Sequence, residues 1–514
     1  MSGSSYNFLI CVLCFLLSLR TAQTLRVLAV APLPAKSHWY FMTAVLRSLT
    51  DEGHNVTVFT PFLNGNNENY TEIDTAGNRE WSQVDMDLAK RVKDFGSIRN
   101  GAMNGGKMNK QLCDEFYSHT RLKDIINDAS SSTNSDQFDI IISENTGSDC
   151  FSGIARILNL PLIYIYPWSS LFYESPVVGE EPNPAYVTTL YSPYSTPKGF
   201  TERFQNAAIA LQSIFFFWLA ETTIVKNSAT IEPVMPSAIF INSDLSIEPA
   251  RPIMPNVINI GGIHLNEPKA IPKDILKFIE NSPAGVIYFS FGSTISMSKL
   301  PEHIQKSFKR ALGQLPQRIL WKFENQMEDK PDNVMAKKWF PQRDILAHPN
   351  IKLFIGHGGI SGVYEAIDFG VPMLGFPMLS DQPRNLANLE AVGMATSLDL
   401  MSVTEIQILK SVHELINNTK YSCNAKKVSK IFRDRPISLK KSVVYWTEYV
   451  VRHNGSPHLK SKAFDLTWYE ILLLDVLLAC LTILLFVTYL CYKFFTFIYM
   501  QTRKYGFYLG YSNV

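Results

Sequence analysis

Cysteine is scarce in this sequence. The 514 residues include seven cysteines, of which only Cys113, Cys150 and Cys423 lie outside the apolar runs at the two chain ends. Three scattered cysteines cannot form a disulfide framework, and they lack the CxxC-type spacing of a zinc site. We therefore expect an ordinary hydrophobic core to stabilise the chain, and a metal site is not indicated.

An excess of charge of one sign is also missing. Lysine and arginine total 48, aspartate and glutamate total 46, and the formal net charge is +2. Because the two signs balance and are mixed along the chain, nothing favours a nucleic-acid partner. Hydrophobic residues make up 46% of the sequence, which excludes wholesale disorder. The length predicts two or three domains.

Long apolar runs are few, and two of them lie at the chain ends. Residues 8–19 are uncharged and too short to span a bilayer, and the small residue Ala22 follows them. This pattern predicts a signal peptide over residues 1–23. A buried strand is less favoured there, because residues 25–34 provide a better first strand. Residues 476–492 are also uncharged and predict a transmembrane helix over residues 471–492.

A signal peptide and a terminal stop-transfer helix together fix the predicted orientation. The chain up to the helix would lie in the lumen, and residues 493–514 would form a cytosolic tail. The Asn-x-Ser/Thr pattern, which is consistent with a secretory route, occurs at Asn55, Asn69, Asn417 and Asn454. Asn55 lies in a predicted strand, where burial would leave it unmodified.

A third apolar stretch covers residues 204–224. Its length would suit a second membrane span, but Gln212 and Glu221 interrupt the apolar core. A helix resting on a membrane or a buried core helix is therefore favoured. The sequence does not separate these two alternatives.

Between the chain ends, strand and helix patterns alternate in two segments. The first segment begins with a strand, a helix and a strand at 25–33, 39–52 and 55–60. Prolines cluster between residues 249 and 272, and a second alternation starts with a strand at 285–291. We predict an α/β protein with two Rossmann-like domains, 24–265 and 266–460, that face each other across a cleft.

The most informative segment is residues 339–382, WFPQRDILAHPNIKLFIGHGGISGVYEAIDFGVPMLGFPMLSDQ. Within it, a predicted strand runs into Gly356-His-Gly-Gly and then into a helix from Ser361. Such a junction directs backbone N–H groups and the positive helix end towards an anion, which favours a phosphate site. A plain glycine turn is the alternative for these four residues alone. The following residues do not fit a P-loop, and the GxGxxG pattern is absent.

This block resembles the signature of the UDP-glycosyltransferases. With the terminal signal and anchor and the segments MPNVINIGGIH (254–264) and YWTEYVVRH (445–453), the chain resembles the membrane-bound UDP-glucuronosyltransferase type of animals, in its insect form. The resemblance covers nearly the full length. It implies a GT-B architecture, an inverting transferase with a UDP-sugar co-substrate and no metal or other cofactor, and residence in the endoplasmic reticulum membrane. The tail lacks the dilysine signal of many relatives, so delivery to the plasma membrane is the alternative. Assembly of identical copies is left open.

The resemblance also implies a donor site in the second half. Trp339 would stack on uracil, Glu365 would accept the ribose hydroxyls, and Asp381 would hydrogen-bond the sugar. Ser361 stands where many relatives have asparagine. The residues that match the family's donor site are Ser293, Trp339, Gln342, His357, Gly359, Ser361, Gly362, Glu365, Asp381 and Gln382.

His38 matches the family's catalytic base and follows the first predicted strand. An imidazole can take the proton of an acceptor hydroxyl, and a neighbouring carboxylate would orient it. Counting from the strand at 138–143 gives Glu144 as that carboxylate, whereas counting back from Cys150 gives Asn145. Asp149 matches the common insect form. We favour Asp149, with Glu144 as the second candidate.

The sequence therefore predicts transfer of a hexose from a UDP-sugar to a hydroxyl, or a carbon, of a small lipophilic acceptor. Glucose is favoured over glucuronic acid, because the sequence offers no unambiguous cation for the sugar carboxylate and insect relatives generally use UDP-glucose. The alternative is a non-catalytic, membrane-anchored protein of the same fold that binds nucleotide-sugars or lipophiles. The intact His38 and the donor block argue against this alternative. A UDP-sugar epimerase is weaker still.

Overall fold

The computed structural model describes residues 24–76, 95–130, 137–145, 150–168, 182–225, 234–293 and 295–510. The predicted signal peptide and Asp149 lie outside the described residues. The chain divides into two compact units, the first ending at Leu459 and the second beginning at Lys460.

The first half of the larger unit is built on a parallel sheet. Its strands are β1 Arg26–Val30, β2 Asn55–Thr60, β3 Tyr70–Asp74, β4 Ile140–Glu144, β5 Leu162–Tyr166, β6 Ala238–Ile241 and β7 Val257–Asn259. They pair in the order β3-β2-β1-β4-β5-β6-β7. The helices are α1 Lys36–Asp51, α2 Ile98–Ser118, α3 Thr120–Ser130, α4 Gly153–Ile157 and α5 Gly199–Ala220. The strand order reverses between β1 and β4, where doubly wound sheets bind ligands.

The second half repeats this architecture. Its strands are β8 Val286–Ser290, β9 Arg318–Lys322, β10 Val334–Lys337, β11 Ile351–Gly356, β12 Met373–Gly375 and β13 Ala395–Ser397. They pair in parallel in the order β10-β9-β8-β11-β12-β13. The helices are α6 Lys273–Glu280, α7 Glu302–Gly313, α8 Gln342–Leu346, α9 Ile360–Phe369, α10 Gln382–Ala391, α11 Glu405–Asn417 and α12 Thr419–Arg433. The predicted pair of Rossmann-like domains is confirmed.

Hydrophobic runs explain why these segments form central strands. Every residue of β5, LIYIY, and of β8, VIYFS, is buried. A parallel strand with helices on both faces has no solvent side and is therefore apolar throughout. On one face of the second sheet, Phe289 stacks on Trp321 with ring centroids 4.7 Å apart, and Phe308 packs against both rings.

Helix α13, Leu439–Arg452, follows the second half in sequence but packs against the first. Val443 and Val450 are fully buried in the core on one face of the first sheet. Glu448 of the same helix lies 3.5 Å from the Nε2 of His54. The last helix of the larger unit therefore connects the two halves.

The strand β3, Tyr70–Asp74, is one that the sequence patterns do not predict. It is an edge strand in which only Tyr70 is buried. A strand with a single buried side chain leaves no alternating apolar pattern to detect. Cys113 of α2 forms a disulfide with Cys150, a pairing that the spacing of the cysteines in the sequence does not predict. Cys423 is free and exposed.

Helix α5 excludes one of the two favoured interpretations of residues 204–224, which are a helix resting on a membrane and a buried core helix. Its inward face carries the small or polar residues Asn206, Ala210, Ser213 and Ala220. Its outward face exposes Phe200, Phe204, Leu211, Ile214, Phe215 and Trp218. Because Leu211 is 68% exposed, α5 is not a buried core helix. By length and composition alone, the helical segment Gly199–Val225 would also suit a membrane span.

The second unit contains α14, Trp468–Ile471, and α15, Leu474–Gly510. The helix α15 is long and apolar enough to cross a membrane between Leu474 and Tyr505. It starts later than the predicted residue 471, after Leu473 with φ of 52°. It also continues beyond residue 492 as one helix through most of the predicted tail.

Candidate active site

The site begins at the reversal point of the first sheet. Val30 and Ser143 are partners in the β1–β4 pairing, so the chain leaves both strands at the same edge. His38 lies in the first turn of α1, and Glu144 is the last residue of β4. The Nδ1 of His38 lies 2.6 Å from the Oε1 of Glu144. The ring also contacts the edge of Trp168, with centroids 4.9 Å apart.

This pairing orients the imidazole. The Glu144 side chain is 1% exposed and the His38 side chain is 17% exposed, so the carboxylate lies behind the ring. Because Nδ1 faces Glu144, Nε2 is the nitrogen that can take a proton from a substrate. Asp149, the carboxylate favoured from the sequence, lies outside the described residues.

Asp381 is the predicted carboxylate of the second half. It occupies the N-cap position of α10, and its Oδ2 accepts a 2.7 Å hydrogen bond from Asn385. Burial raises the pKa of Asp381, and the hydrogen bond from Asn385 and, less strongly, electrostatic interactions with His38 and Arg384 oppose this effect.

Gln382 follows Asp381 and is held by the preceding loop. Its Oε1 accepts hydrogen bonds from the backbone N–H groups of Met378 and Leu379, at 2.9 and 3.1 Å. These two bonds fix the side chain of Gln382 against the turn that precedes α10.

A glycine-rich junction lies at the reversal point of the second sheet, between β8 and β11. Gly359 caps α9, and Ser361 and Gly362 lie in its first turn. Their backbone N–H groups belong to the unsatisfied helix end, which favours an anion. Ser293 follows β8 on the opposite side and is exposed. The predicted phosphate residues therefore lie on neighbouring strand ends.

The His357 side chain lies between the loop that follows β8 and the loop that follows β11. Gly292 has φ of 71°, and a Cβ there would lie 2.7 Å from the His357 ring. Only glycine combines that backbone conformation with this contact. Burial, assisted by the charge of Lys322, lowers the pKa of His357 to about 4. The imidazole is therefore neutral near pH 7, and its Nδ1 has no hydrogen-bond partner among the described residues.

Gln342 and Glu365 form a second cluster beside this junction, and Trp339 precedes Gln342 by three positions in the chain. The indole of Trp339 is 64% exposed, so its face is available for stacking. Gln342 donates a 2.5 Å hydrogen bond from Nε2 to Glu365. Burial raises the pKa of Glu365 to about 7, although the Gln342 bond opposes the shift. A carboxyl group that is half ionised at neutral pH is unusual and marks a candidate binding residue.

A family model for "UDP-glucoronosyl and UDP-glucosyl transferase" matches residues 26–506. The chain belongs to the UDP-glycosyltransferase family. UDP-glucosyltransferase 2 of Dactylopius coccus is 35% identical over 90% of this chain and 91% of the relative. UDP-glucuronosyltransferase 2B9 of Macaca fascicularis is 30% identical over 91% of this chain and 93% of the relative.

Solved structures place the UDP-glycosyltransferase fold found here among the GT-B glycosyltransferases. A UDP-glucosyltransferase from Polygonum tinctorium has a TM-score of 0.58 at 14% identity, over 84% of this chain and all of that one. The glycosyltransferase VinC has a TM-score of 0.55 at 17% identity, over 83% of this chain and all of that one. The protein is therefore a UDP-glycosyltransferase enzyme of GT-B fold that uses a UDP-sugar donor.

Some residues of this UDP-glycosyltransferase site carry no local sequence signal. Trp168 follows β5, and its ring meets that of His38 only because β4 and β5 are neighbours. Lys322 ends β9, and its Nζ lies 5.9 Å from the Trp339 ring centroid. Arg384 pairs with Glu248 of the first half. The contacts of Trp168 with His38 and of Arg384 with Glu248 join segments that are distant along the chain.

The four sequons also occupy different environments. Asn55, expected to be buried, is exposed at the start of β2, and Asn417 and Asn454 are exposed. Asn69 is half-buried, and its Nδ2 donates a 2.9 Å hydrogen bond to the Thr50 carbonyl. The nitrogen that would carry a glycan at Asn69 is thus already engaged.

Proposed function

We propose that this UDP-glycosyltransferase moves glucose from UDP-glucose to a hydroxyl of a small lipophilic acceptor, with inversion at the anomeric carbon. The observation that carries the proposal is the His38–Glu144 pair, at 2.6 Å. A base on one half and a sugar-binding carboxylate on the other suit an in-line displacement between two bound substrates. Glucuronic acid as the donor sugar and carbon as the acceptor atom are the alternatives.

In the proposed reaction, the Nε2 of His38 takes the acceptor hydroxyl proton as the oxygen bonds to the anomeric carbon. The bond from that carbon to the β-phosphate oxygen breaks, and its electron pair leaves with UDP. Glu144 stabilises the resulting imidazolium through Nδ1–H. The acceptor thus gains the sugar, His38 gains the proton, and UDP leaves.

The leaving diphosphate would lie against the amino end of α9. The N–H groups of Gly359, Ser361 and Gly362 would donate to its oxygens together with Ser293. The neutral imidazole of His357 would add one N–H donor, since burial keeps it uncharged in the unliganded protein. This set would stabilise the developing charge with no metal ion, as the family resemblance implies.

The nucleoside would bind to the cluster beside this junction. Trp339 would stack on uracil, and Gln342 would hydrogen-bond its edge. Glu365 would accept the ribose hydroxyls. The 2.5 Å bond between Gln342 and Glu365 supports the assignment, because it holds the base-binding and ribose-binding groups together.

Glucose is favoured as the donor sugar because Arg384, the buried cation near the proposed sugar site, is already neutralised. The guanidinium of Arg384 interacts electrostatically with Asp381. It donates to both oxygens of Glu248. A glucuronate carboxylate would have to compete with Glu248 for this cation. The name of the Dactylopius relative, a UDP-glucosyltransferase, agrees with this choice.

The acceptor side of the site favours an apolar ligand. The carboxyl ends of β1 and β2 are lined mainly by apolar residues, including Val30, Phe59, Leu112 and Phe116, together with Thr75, Glu115 and His119. We propose that the lipophilic acceptor binds on this half of the molecule.

We further propose that α15 anchors the protein in the endoplasmic reticulum membrane with the catalytic unit in the lumen. The apolar helix over Leu474–Tyr505 and the exposed sequons support this arrangement. Protease digestion of sealed microsomes tests it, and we expect only the C-terminal end to be cleaved without detergent.

The activity is tested with microsomes that contain the full chain, a panel of phenols and aromatic polyketides, and UDP-glucose or UDP-glucuronic acid. Mass spectrometry of the products should show hexose adducts with UDP-glucose. Glucuronide adducts alone would overturn the choice of donor. UDP binding without any adduct across the panel would favour the non-catalytic alternative.

A further inference from the structure

One buried ion pair joins the donor-sugar segment to the other half of the molecule. Arg384 lies two residues after Gln382, in the first turn of α10. Its Nη1 and Nη2 donate to the two carboxylate oxygens of Glu248 at 3.1 and 2.5 Å. Its Nε donates to the Oγ1 of Thr188 at 3.1 Å. All three bonds cross from the second half to the first.

The Arg384–Glu248 pair is buried, and burial restricts the distance and the relative orientation of its two groups. The side chains of Arg384 and Glu248 are 6% and 7% exposed. A bidentate guanidinium–carboxylate pair fixes both the distance and the plane of the two groups, and water cannot easily replace either partner in a buried site. The first turn of α10 is therefore held at a set position relative to the first half.

The same turn of helix carries the residues that we assign to the sugar. Asp381 caps α10, and Gln382 is its first residue. His38, the proposed base, belongs to the half that Glu248 and Thr188 belong to. The three bonds of Arg384 thus connect the part that would hold the sugar to the part that would hold the acceptor.

We infer that Arg384 is a positioning residue: its pairing with Glu248 and Thr188 sets Asp381 and Gln382 against His38 and so aligns the sugar for attack. The inference rests on the proposed function. It assigns no contact with the nucleotide, because Trp339, Gln342 and Glu365 belong to other elements. Loss of the pair should therefore weaken sugar binding and turnover while UDP binding is kept.

A second ion pair between the halves provides a matched control. Arg435 donates to Asp244 at 2.7 Å, and the two side chains are 20% and 14% exposed. Arg435 follows α12 and is not part of α10. If general cohesion of the halves were responsible, Asp244→Asn would have the same effect as Glu248→Gln.

The experiment uses the detergent-solubilised full chain with Glu248→Gln, Arg384→Lys, Asp244→Asn and Asp381→Asn. Dissociation constants are measured for UDP and for UDP-glucose, together with kcat and KM for transfer. For Glu248→Gln we expect an unchanged UDP constant and about a tenfold loss of UDP-glucose affinity. We also expect kcat to fall about 100-fold, because a misplacement near 1 Å has this effect. Arg384→Lys keeps the positive charge and should lose less UDP-glucose affinity and less kcat than Glu248→Gln. Asp244→Asn should have the same binding and kinetic constants as the wild type.

The outcomes separate the inference from the proposed function. Wild-type sugar affinity and kcat in Glu248→Gln and Arg384→Lys, with a loss in Asp381→Asn, would overturn the positioning role alone. An equal loss in Asp244→Asn would overturn it as well. If Asp381→Asn itself binds UDP-glucose normally, the proposed sugar site is wrong and the inference fails with it. If Glu248→Gln does not fold, Arg384→Met/Glu248→Leu replaces the pair by apolar side chains and should show the same selective loss.

Discussion

The Nδ1 of His38 lies 2.6 Å from the Oε1 of Glu144, although 106 residues separate them in the chain. The contact exists because β1 and β4 are adjacent parallel strands that end at the same edge. Glu144 is the second of the two carboxylates that the sequence proposes for this role, and Asp149, the first, lies outside the described residues.

The first prediction concerns this pair. Glu144→Gln keeps the shape of the side chain but cannot stabilise an imidazolium, so we expect kcat to fall by about 10²–10⁴-fold. His38→Ala should abolish transfer, and both variants should bind UDP as the wild type does. Steady-state kinetics and UDP binding on the same preparations check this. A larger loss of kcat in Asp149→Asn than in Glu144→Gln would show that Asp149 is the partner instead.

The second prediction concerns the base-stacking surface. Trp339→Ala should reduce UDP affinity by about 1–3 kcal/mol, the usual value of one base–aromatic stack. Trp218→Ala is the matched control, because Trp218 is 58% exposed on α5 and has no proposed contact with the nucleotide. Titration calorimetry with UDP distinguishes the two. Equal affinities in both variants would contradict the stacking role.

The third prediction follows from the pKa of Glu365, which burial raises to about 7. The ionised carboxylate is the better acceptor for ribose hydroxyls, so affinity should rise as the pH passes upward through 7. Below this pKa, affinity should fall by up to about tenfold per pH unit. Uridine is the suitable ligand, because it carries no phosphate that titrates in this range. Glu365→Gln should bind uridine weakly and show no such rise, and a flat wild-type profile would refute the role.

The fourth prediction concerns the disulfide between Cys113 and Cys150. It closes a loop with a sequence separation of 37 residues. Replacing both cysteines by alanine should lower the free energy of unfolding by about 3–4 kcal/mol, the chain-entropy value for such a loop. The half-life of thermal inactivation should shorten accordingly, whereas Cys423→Ser should leave it unchanged. Equal half-lives for the double variant and the wild type would show that the bond adds no stability.

The fifth prediction concerns glycosylation. Asn55, Asn417 and Asn454 are exposed, while the Nδ2 of Asn69 is bonded to the Thr50 carbonyl. We expect Asn→Gln variants at the first three positions to increase gel mobility, each by one glycan, and Asn69→Gln to leave it unchanged. Treatment with a glycosidase provides the reference band. A mobility change for Asn69→Gln would mean that this hydrogen bond opens before or during modification.

The sequence alone determined the features that depend on neighbouring residues. The segment 339–382 contains a strand, a glycine turn and a helix in direct succession, so the position of His357 and Gly359 at an anion-binding helix end follows from local structure. The buried strands are also evident locally, because β5 and β8 are apolar throughout. The family resemblance rests on the same contiguous blocks.

Only the tertiary structure decided which distant residues meet. The choice of Glu144 as a partner of His38 depends on which strands lie side by side, and the Arg384–Glu248 pair joins residues 136 positions apart. The exposed apolar face of α5 likewise depends on which side of the helix packs inward. Local pattern fixes what each segment can become, whereas long-range packing selects the contacts, because their free energy comes from burial that no single segment can achieve.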